Sequence, residues 1–336
     1  MSTLQPIREI DGAGAESAQA DMFAEGKPVV LRGLVRDWPA VRAALQSPEA
    51  ISDYIAAQDL GRDMPFIVGR PANEGRLFYE SGMQALNFDK RPSRLAQALR
   101  DILAEAGAQP PRTLYVQSLP IDDYLKDFSA QNAMPLLPAS VHGRIWIGNA
   151  VTVPPHFDLS YNIACVVAGR RRFTLFPPEQ LPNMYIGPID FTPAGTPVSM
   201  VSVEHPDLEK YPRFAAALKT AQQAVLEPGD AVYIPYAWWH GISSLEPFNI
   251  LVNYWWNDAT SWVRSPYDCL LHAVLGLRAL PPDQRDFWRQ MFASIAFEEN
   301  GDPFAHLAPE HRGALGPITP ERARALRQIL ARSLMS

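Results

Sequence analysis

Three side chains in this sequence are of the right types, at workable spacings, to hold one metal ion. His156 and Asp158 stand two positions apart in Pro155-His156-Phe157-Asp158, and His240 closes the run Trp238-Trp239-His240. In extended backbone, residues i and i+2 point to the same side, about 6 to 7 Å apart at their Cα atoms, so His156 and Asp158 can grip one ion together. Two histidines and a carboxylate cover one face of an octahedron and leave the other three positions open, the donor set of non-haem Fe(II) oxygenases. The H-x-D tripeptide alone is a weak signal. A rival third ligand, His205, sits in His205-Pro206-Asp207-Leu208, which reads as the start of a short helix, so His240 is the better choice.

The elements that must position these groups read mainly as strands. Residues 163–167 form a strand-like run, Ala168-Gly169-Arg170 a tight connection, and 171–176 a second strand closed by Pro177-Pro178. Alternation along 171–176 puts Arg171, Phe173 and Leu175 on one face and Arg172 and Thr174 on the other. The polar pair belongs to solvent, so Arg171 points inward. A guanidinium pointed into a barrel must be neutralised, by an internal Asp or Glu or by an acidic ligand. Residues 113–117 also alternate and place Tyr115 and Gln117 on one face; 144–148 read as a further strand, and 122–128 as a helix. Pro228-Gly229 suits a type II turn that fixes the register of a strand over 231–235, with Trp238-Trp239-His240 at its exit and the two tryptophans shielding the metal centre from water.

Between 181 and 226 lies an insertion rich in Pro, Gly and Tyr, a length at which loops usually serve as lids or binding surfaces. Tyr185, Asp190, Phe191 and His205 are placed to line a substrate cleft there. Helical spacing marks 94–106, with Ser93 as N-cap, then 267–280, 284–297 and 321–334; another helix starts at Trp38-Pro39, with Trp38 read as a core aromatic. The helices over 267–297 are apolar enough to need a partner, either the barrel or a second subunit.

Composition narrows the class. Among 336 residues, 47% are hydrophobic and 20% charged, the balance of a globular chain, and the net charge of −6 argues against a broad nucleic-acid surface. No run of about 18 apolar residues appears, and the first residues lack a charged start followed by an apolar stretch, so we expect a cytoplasmic protein without a membrane span. Cys165, in a strand, and Cys269, in a helix, fit two buried thiols in a reducing compartment.

Taken in order, His156-Phe157-Asp158, Phe176-Pro177-Pro178, Pro228-Gly229-Asp230, Tyr233-Ile234-Pro235, Trp238-Trp239-His240 and Val252-Asn253-Tyr254-Trp255 make a specific set, preceded by a matching opening at 27–39. Over residues 20 to 260 the sequence resembles the cupin-like JmjC-type Fe(II)/2-oxoglutarate-dependent oxygenases, in the branch of the asparaginyl hydroxylase called factor inhibiting hypoxia-inducible factor. The resemblance implies a mainly β protein with flanking helices: a double-stranded β-helix, or jelly-roll cupin. It divides the chain into an N-terminal α/β segment (1–110), the barrel (111–258, with the insertion 181–226) and a C-terminal helical segment (259–336) that makes a homodimer.

The same resemblance assigns roles. His156, Asp158 and His240 would hold Fe(II), with 2-oxoglutarate as co-substrate and O₂ as oxidant. Arg171 stands where the family has a lysine for the distal carboxylate of 2-oxoglutarate, Tyr115 touches that carboxylate, and Asn162 and Asn253 lie near the co-substrate. Gln117 contacts substrate by this resemblance; apart from it, Trp239 and, from the insertion, Tyr185 are candidate substrate residues. Val153 departs from a family threonine, and Thr152 beside it faces the other way. Hydroxylation is the expected outcome, demethylation being the same chemistry on a carbon attached to nitrogen. A cupin of another class, such as an isomerase or a 2-oxoglutarate-independent dioxygenase, would keep the metal without Arg171; a non-catalytic ligand-binding cupin would keep only the barrel. The acidic balance and the lack of a Cys/His zinc cluster disfavour a chromatin-type demethylase. Protein side chain, small metabolite and modified nucleoside all stay open as substrates.

Overall fold

The computed structural model describes residues 4–334 except 260–262 and 264. Its contacts divide the chain into two compact units, one ending at Asn257 and one beginning at Asp258.

The first unit is a jelly roll of two sheets. A nine-stranded sheet runs in the spatial order Arg8–Asp11, Val29–Arg32, Ala231–Ile234, Tyr161–Ala168, Asn249–Trp256, Gly143–Gly148, Thr113–Pro120, Asp63–Gly69, Phe88–Arg94. The five-stranded sheet runs Gln5–Pro6, Gln222–Leu226, Arg171–Phe176, Trp239–Ser244, Thr152–His156. Tyr161–Ala168 shows why the sequence folds this way. Ala164 and Val166 pack with Phe173, Leu175 and Leu251 between the sheets. Ile163, Cys165 and Val167 point the other way, into a core shared with Met22, Val41, Ile55 and Leu99 of the N-terminal helices. Both faces are therefore buried, so the strand reads as an unbroken apolar run rather than an alternating one. Burial pushes the Cys165 thiol up, which keeps it protonated and unreactive.

Alternation in Arg171–Phe176 holds for the inward face, where Arg171, Phe173 and Leu175 are buried, but only in part for the other: Arg172 is partly exposed, whereas Thr174 is buried rather than in solvent, its hydroxyl accepting from the Gln223 amide at 2.9 Å. The Pro-Gly-Asp turn is fixed by its ends. Gly229 sits at φ +100°, closed to ordinary side chains. Asp230 accepts from the backbone N–H of Gly33 at 2.8 Å and pairs with Arg32 at 2.5 Å, which ties the N-terminal strand Val29–Arg32 to the barrel. Trp38 is in the core, as expected, and its indole N–H donates to the carbonyl of Ala133.

Several local expectations change. The helix Leu95–Glu105 is not capped by Ser93, which belongs to the strand Phe88–Arg94; Asp59 reaches across and accepts from the N–H of Ala96, a cap invisible to local sequence reading. The helix expected over 122–128 is two short ones, Ile121–Tyr124 and Phe128–Gln131. No helix begins at His205, which is exposed. His240 lies not at the exit of Ala231–Ile234 but inside a separate strand of the other sheet, Trp239–Ser244.

The second unit holds the helices Pro266–Leu277, Pro282–Met291 and Pro320–Leu334. Cys269 is exposed rather than buried, since it sits on a helix with no buried residue. No helix among the described residues is long and apolar enough to cross a membrane.

Candidate metal centre and its cavity

His156 ends the strand Thr152–His156, and its Cα partner across the ladder is His240 of Trp239–Ser244, so the sheet itself sets the two imidazoles side by side. Their ring centres are 4.3 Å apart. Asp158 follows in the turn before Tyr161–Ala168. One ligand atom from each of the three lies within 4.8 Å of the others, and His240 Nε2 is 3.5 Å from Asp158 Oδ2. This spacing brings three neutral or anionic donors to one point, as a divalent ion requires.

The tautomers are set by the backbone. His156 Nδ1 lies 3.0 Å from the carbonyl of Pro154, and His240 Nδ1 3.0 Å from that of Trp238. A carbonyl only accepts, so each Nδ1 donates and each Nε2 keeps its lone pair for a metal, the usual support for a ligating histidine. Burial, reinforced by the charge a protonated His240 would place beside it, pushes His156 down to about 4. The imidazole is thus already neutral and ready to ligate near pH 7.

Asp158 is oriented by a string of hydrogen bonds. Trp255 Nε1 donates to Asp158 Oδ2 at 2.9 Å, and the Asn162 amide donates to the same oxygen at 3.4 Å. Asn162 Oδ1 accepts from Asn253 at 3.1 Å, and Asn253 Oδ1 accepts from Trp146 Nε1 at 2.7 Å. Donation runs one way, from Trp146 through two amides to the carboxylate, so Asn162 and Asn253 can each take only one rotamer flip. Both line the cavity, as do Tyr115, Gln117 and Arg171.

That cavity holds roughly 700 Å³, open solvent at its mouth included, and its walls are Leu77, Val153, Phe173, Ile234, Ile242 and Leu251. At its inner end Arg171 is 2% exposed, and its Nε and one terminal nitrogen meet no acceptor. Burial drives its pKa down, and the group facing it is the Tyr115 hydroxyl, not a carboxylate. An uncompensated guanidinium is expensive inside a protein. Of the two partners the sequence left open, no internal Asp or Glu is found beside Arg171 among the described residues. An acidic ligand fits. Tyr115 is itself pushed up by burial, so its hydroxyl stays a neutral donor. Gly148 makes room for that ring: a Cβ there would come 2.5 Å from Tyr115 Cδ2.

Two candidates leave the site. Trp239 is buried against Phe176, Met184, Phe214 and Phe157 on the far side of its sheet, because it alternates with the inward-facing Trp238 and His240. Tyr185 packs on Tyr211, and its hydroxyl accepts from the N–H of Arg213. Neither lines the cavity. The insertion reaches the site through Pro193 and Ala194 instead, where the Gln117 amide donates to the Pro193 carbonyl at 3.2 Å. Phe191 and Pro188 are held by their carbonyls on the Tyr79 hydroxyl. Sequence reading missed Trp146 and Trp255. Both were available from alternation, since Trp255 shares a face with Asn253, and Trp146 lies on the neighbouring strand across from Leu251.

A family model described as a cupin-like domain matches residues 15–261. Jumonji C domain-containing protein 5 of Drosophila melanogaster is 28% identical over 256 residues, which are 74% of this chain and 59% of that protein. Lysine-specific demethylase JMJ31 of Arabidopsis thaliana is 40% identical over 103 residues, 31% of this chain and 18% of the demethylase. tRNA wybutosine-synthesizing protein 5 of Gallus gallus is 32% identical over 157 residues, 42% and 46% of the two chains. The chain thus spans less than two-thirds of the length of each of these relatives. With the jelly roll, the His-Asp-His cluster and a match over most of its length, the chain belongs to the cupin-like domain family and has JmjC-domain proteins among its relatives.

Proposed function

We propose that this chain is an Fe(II)- and 2-oxoglutarate-dependent oxygenase that hydroxylates its substrate. One observation carries the reading: the cavity joins a facial set of two imidazoles and a carboxylate to a buried guanidinium that lacks an anion. A metal-only cupin needs the first feature and has no use for the second. Bound there, Fe(II) and 2-oxoglutarate would supply the oxidising chemistry, one oxygen of O₂ entering a substrate C–H bond and the other entering succinate as CO₂ departs.

The protein's own residues account for the rest. His156 and His240 offer Nε2, and Asp158 is aimed by Trp255 and Asn162. Arg171 can grip a carboxylate with two parallel N–H groups, where a lysine offers a point charge. Tyr115 can donate to the same carboxylate. Val153 in place of a hydroxyl-bearing residue leaves that wall apolar, and Leu77, Ile242 and Leu251 complete a dry lining that strengthens the ionic contact. Gln117 and the Pro193-Ala194 segment close the outer side, which makes Gln117 the substrate-facing polar group of this reading.

The site's resemblance to the asparaginyl hydroxylase branch supports hydroxylation; relatives named as a lysine-specific demethylase and a wybutosine-synthesizing protein keep peptide and nucleoside substrates in view. The same reading includes assembly as a homodimer. Leu270, Leu271, Leu275, Phe287 and Trp288 of the second unit are exposed, and such a patch on a lone chain calls for a cover. Succinate release from 2-oxoglutarate, screened with Fe(II) against peptide, metabolite and nucleoside libraries, tests the function. Stimulation by at least one library member is expected, and loss of that stimulation on His240→Ala; turnover that survives His240→Ala would overturn it.

A further inference from the structure

Arg144 stands on the strand Gly143–Gly148 on the same face as Trp146 and directly across from Asn253, and both of those neighbours line the cavity. Its guanidinium carbon lies 5.9 Å from the centre of the Trp255 ring, whose N–H is bound to Asp158. One aromatic ring therefore separates this cation from a metal ligand.

The guanidinium is held in place before any ligand arrives. Nε donates to Ser118 Oγ at 2.6 Å and one terminal nitrogen donates to the Ser118 carbonyl at 2.7 Å. Ser118 has φ +55°, which non-glycine residues rarely adopt. It lies where Thr113–Pro120 slips register against Gly143–Gly148, between Val116 and Leu119. The irregular backbone turns both Ser118 oxygens onto Arg144. An arginine has five N–H donors, so two are engaged and the outer edge of the fork is left over. Among the described residues no carboxylate comes within ion-pair distance of it. Asp123 is the acid whose field reaches it, and partial burial pulls its pKa down. Arg144 is thus a second cation in the barrel without an ion-pair partner among the described residues, clamped, partly open to solvent and adjacent to the cavity-lining Trp255.

We propose that the substrate carries an anionic group, a carboxylate or a phosphate, and that Arg144 binds it at the mouth of the cavity. The proposal rests on the oxygenase reading of the metal centre and extends it to a substrate class. An oxyanion fits the planar fork through two parallel hydrogen bonds, and the Ser118 clamp fixes how far from the metal ligands that anion sits. The oxidised carbon would then lie at a set distance from the anion.

The test uses the full chain loaded with Mn(II) and 2-oxoglutarate, which fills the Arg171 end, and two probes: inorganic phosphate followed by ³¹P relaxation and labelled acetate followed by ¹³C relaxation. Saturable relaxation of at least one probe by the metal is expected, reduced at least fivefold in Arg144→Gln, whose amide can still donate to Ser118, and partly kept in Arg144→Lys. The probe that relaxes more tells carboxylate from phosphate. Relaxation within twofold of the parent in Arg144→Gln, or no saturable relaxation in the parent, would overturn the proposal. Calorimetric affinity for 2-oxoglutarate is expected to be equal in all three proteins; failure of the parent to bind it would strike the oxygenase reading instead.

Discussion

Replacing Arg171 by methionine should make the ligand-free protein more stable and the enzyme worse. The guanidinium is buried, two of its nitrogens meet no acceptor, and burial already lowers its pKa. Each unsatisfied buried donor costs about 1 to 3 kcal/mol, and exchanging an uncompensated buried ion for an apolar side chain of similar length typically returns about 1 to 4 kcal/mol. In Arg171→Met, the urea midpoint of the metal-free protein should therefore rise by an amount in that range. Binding should move the other way. Losing one partner of a desolvated charge pair costs about 2 to 4 kcal/mol, so affinity for 2-oxoglutarate should fall roughly 30- to 1,000-fold at unchanged metal affinity. Arg171→Lys should fall between, keeping the charge but losing the two-pronged geometry. Urea denaturation and anaerobic calorimetry with Fe(II) read the two effects separately. If Arg171→Met is less stable than the parent and binds 2-oxoglutarate as tightly, the guanidinium is a structural group with a partner, and the reasoning fails.

Trp255→Phe removes the N–H that aims Asp158 while keeping the ring, and should weaken Fe(II) or Ni(II) binding by about 10- to 100-fold; unchanged metal affinity would show that Asn162 suffices. The metal-free protein should also lose stability as the pH falls. His156 is held to about 4, so below the ordinary histidine value of 6.5 the unfolded chain takes up a proton that the folded chain refuses. This contribution is fully present above pH 6.5 and is lost progressively toward pH 4, the loss reaching about 2 kcal/mol by pH 5. Urea midpoints at pH 7 and 5 should differ more for the parent than for His156→Asn, and equal differences would contradict the assignment. Light scattering should give a homodimer mass at micromolar concentration that reverts to a monomer when Leu275 and Phe287 are changed to Glu; a parent monomer would refute the dimer.

The parts of the fold legible in the sequence were those where alternation alone decides. Arg171 faces inward with Phe173 and Leu175, and Gln117 follows Tyr115 by the same rule, although Thr174 on the opposite face is buried under Gln223 rather than left in solvent. Long-range hydrogen bonding was out of reach. Nothing local says that Asp59 caps the helix at Leu95, or that Asn253 and Asn162 pass their amides along to Asp158, since those partners meet only after the sheets pair. Trp239 misled because its neighbour His240 belongs to the His-Asp-His cluster; one position along a strand reverses the face, so adjacency in sequence argued for the wrong side. The placement of Arg144 was hidden for a different reason: its clamp depends on a slip in register at Ser118, which no periodicity announces.

The most direct test of the account is an anaerobic calorimetric titration of 2-oxoglutarate into the chain, with and without stoichiometric Fe(II), repeated on His240→Ala. The account predicts one 2-oxoglutarate site per chain that is at least tenfold tighter with Fe(II) present, and no such gain in His240→Ala. Binding of equal strength with and without the metal would mean that Arg171 alone holds the acid, and would contradict the claim that the two histidines, Asp158 and Arg171 form one site.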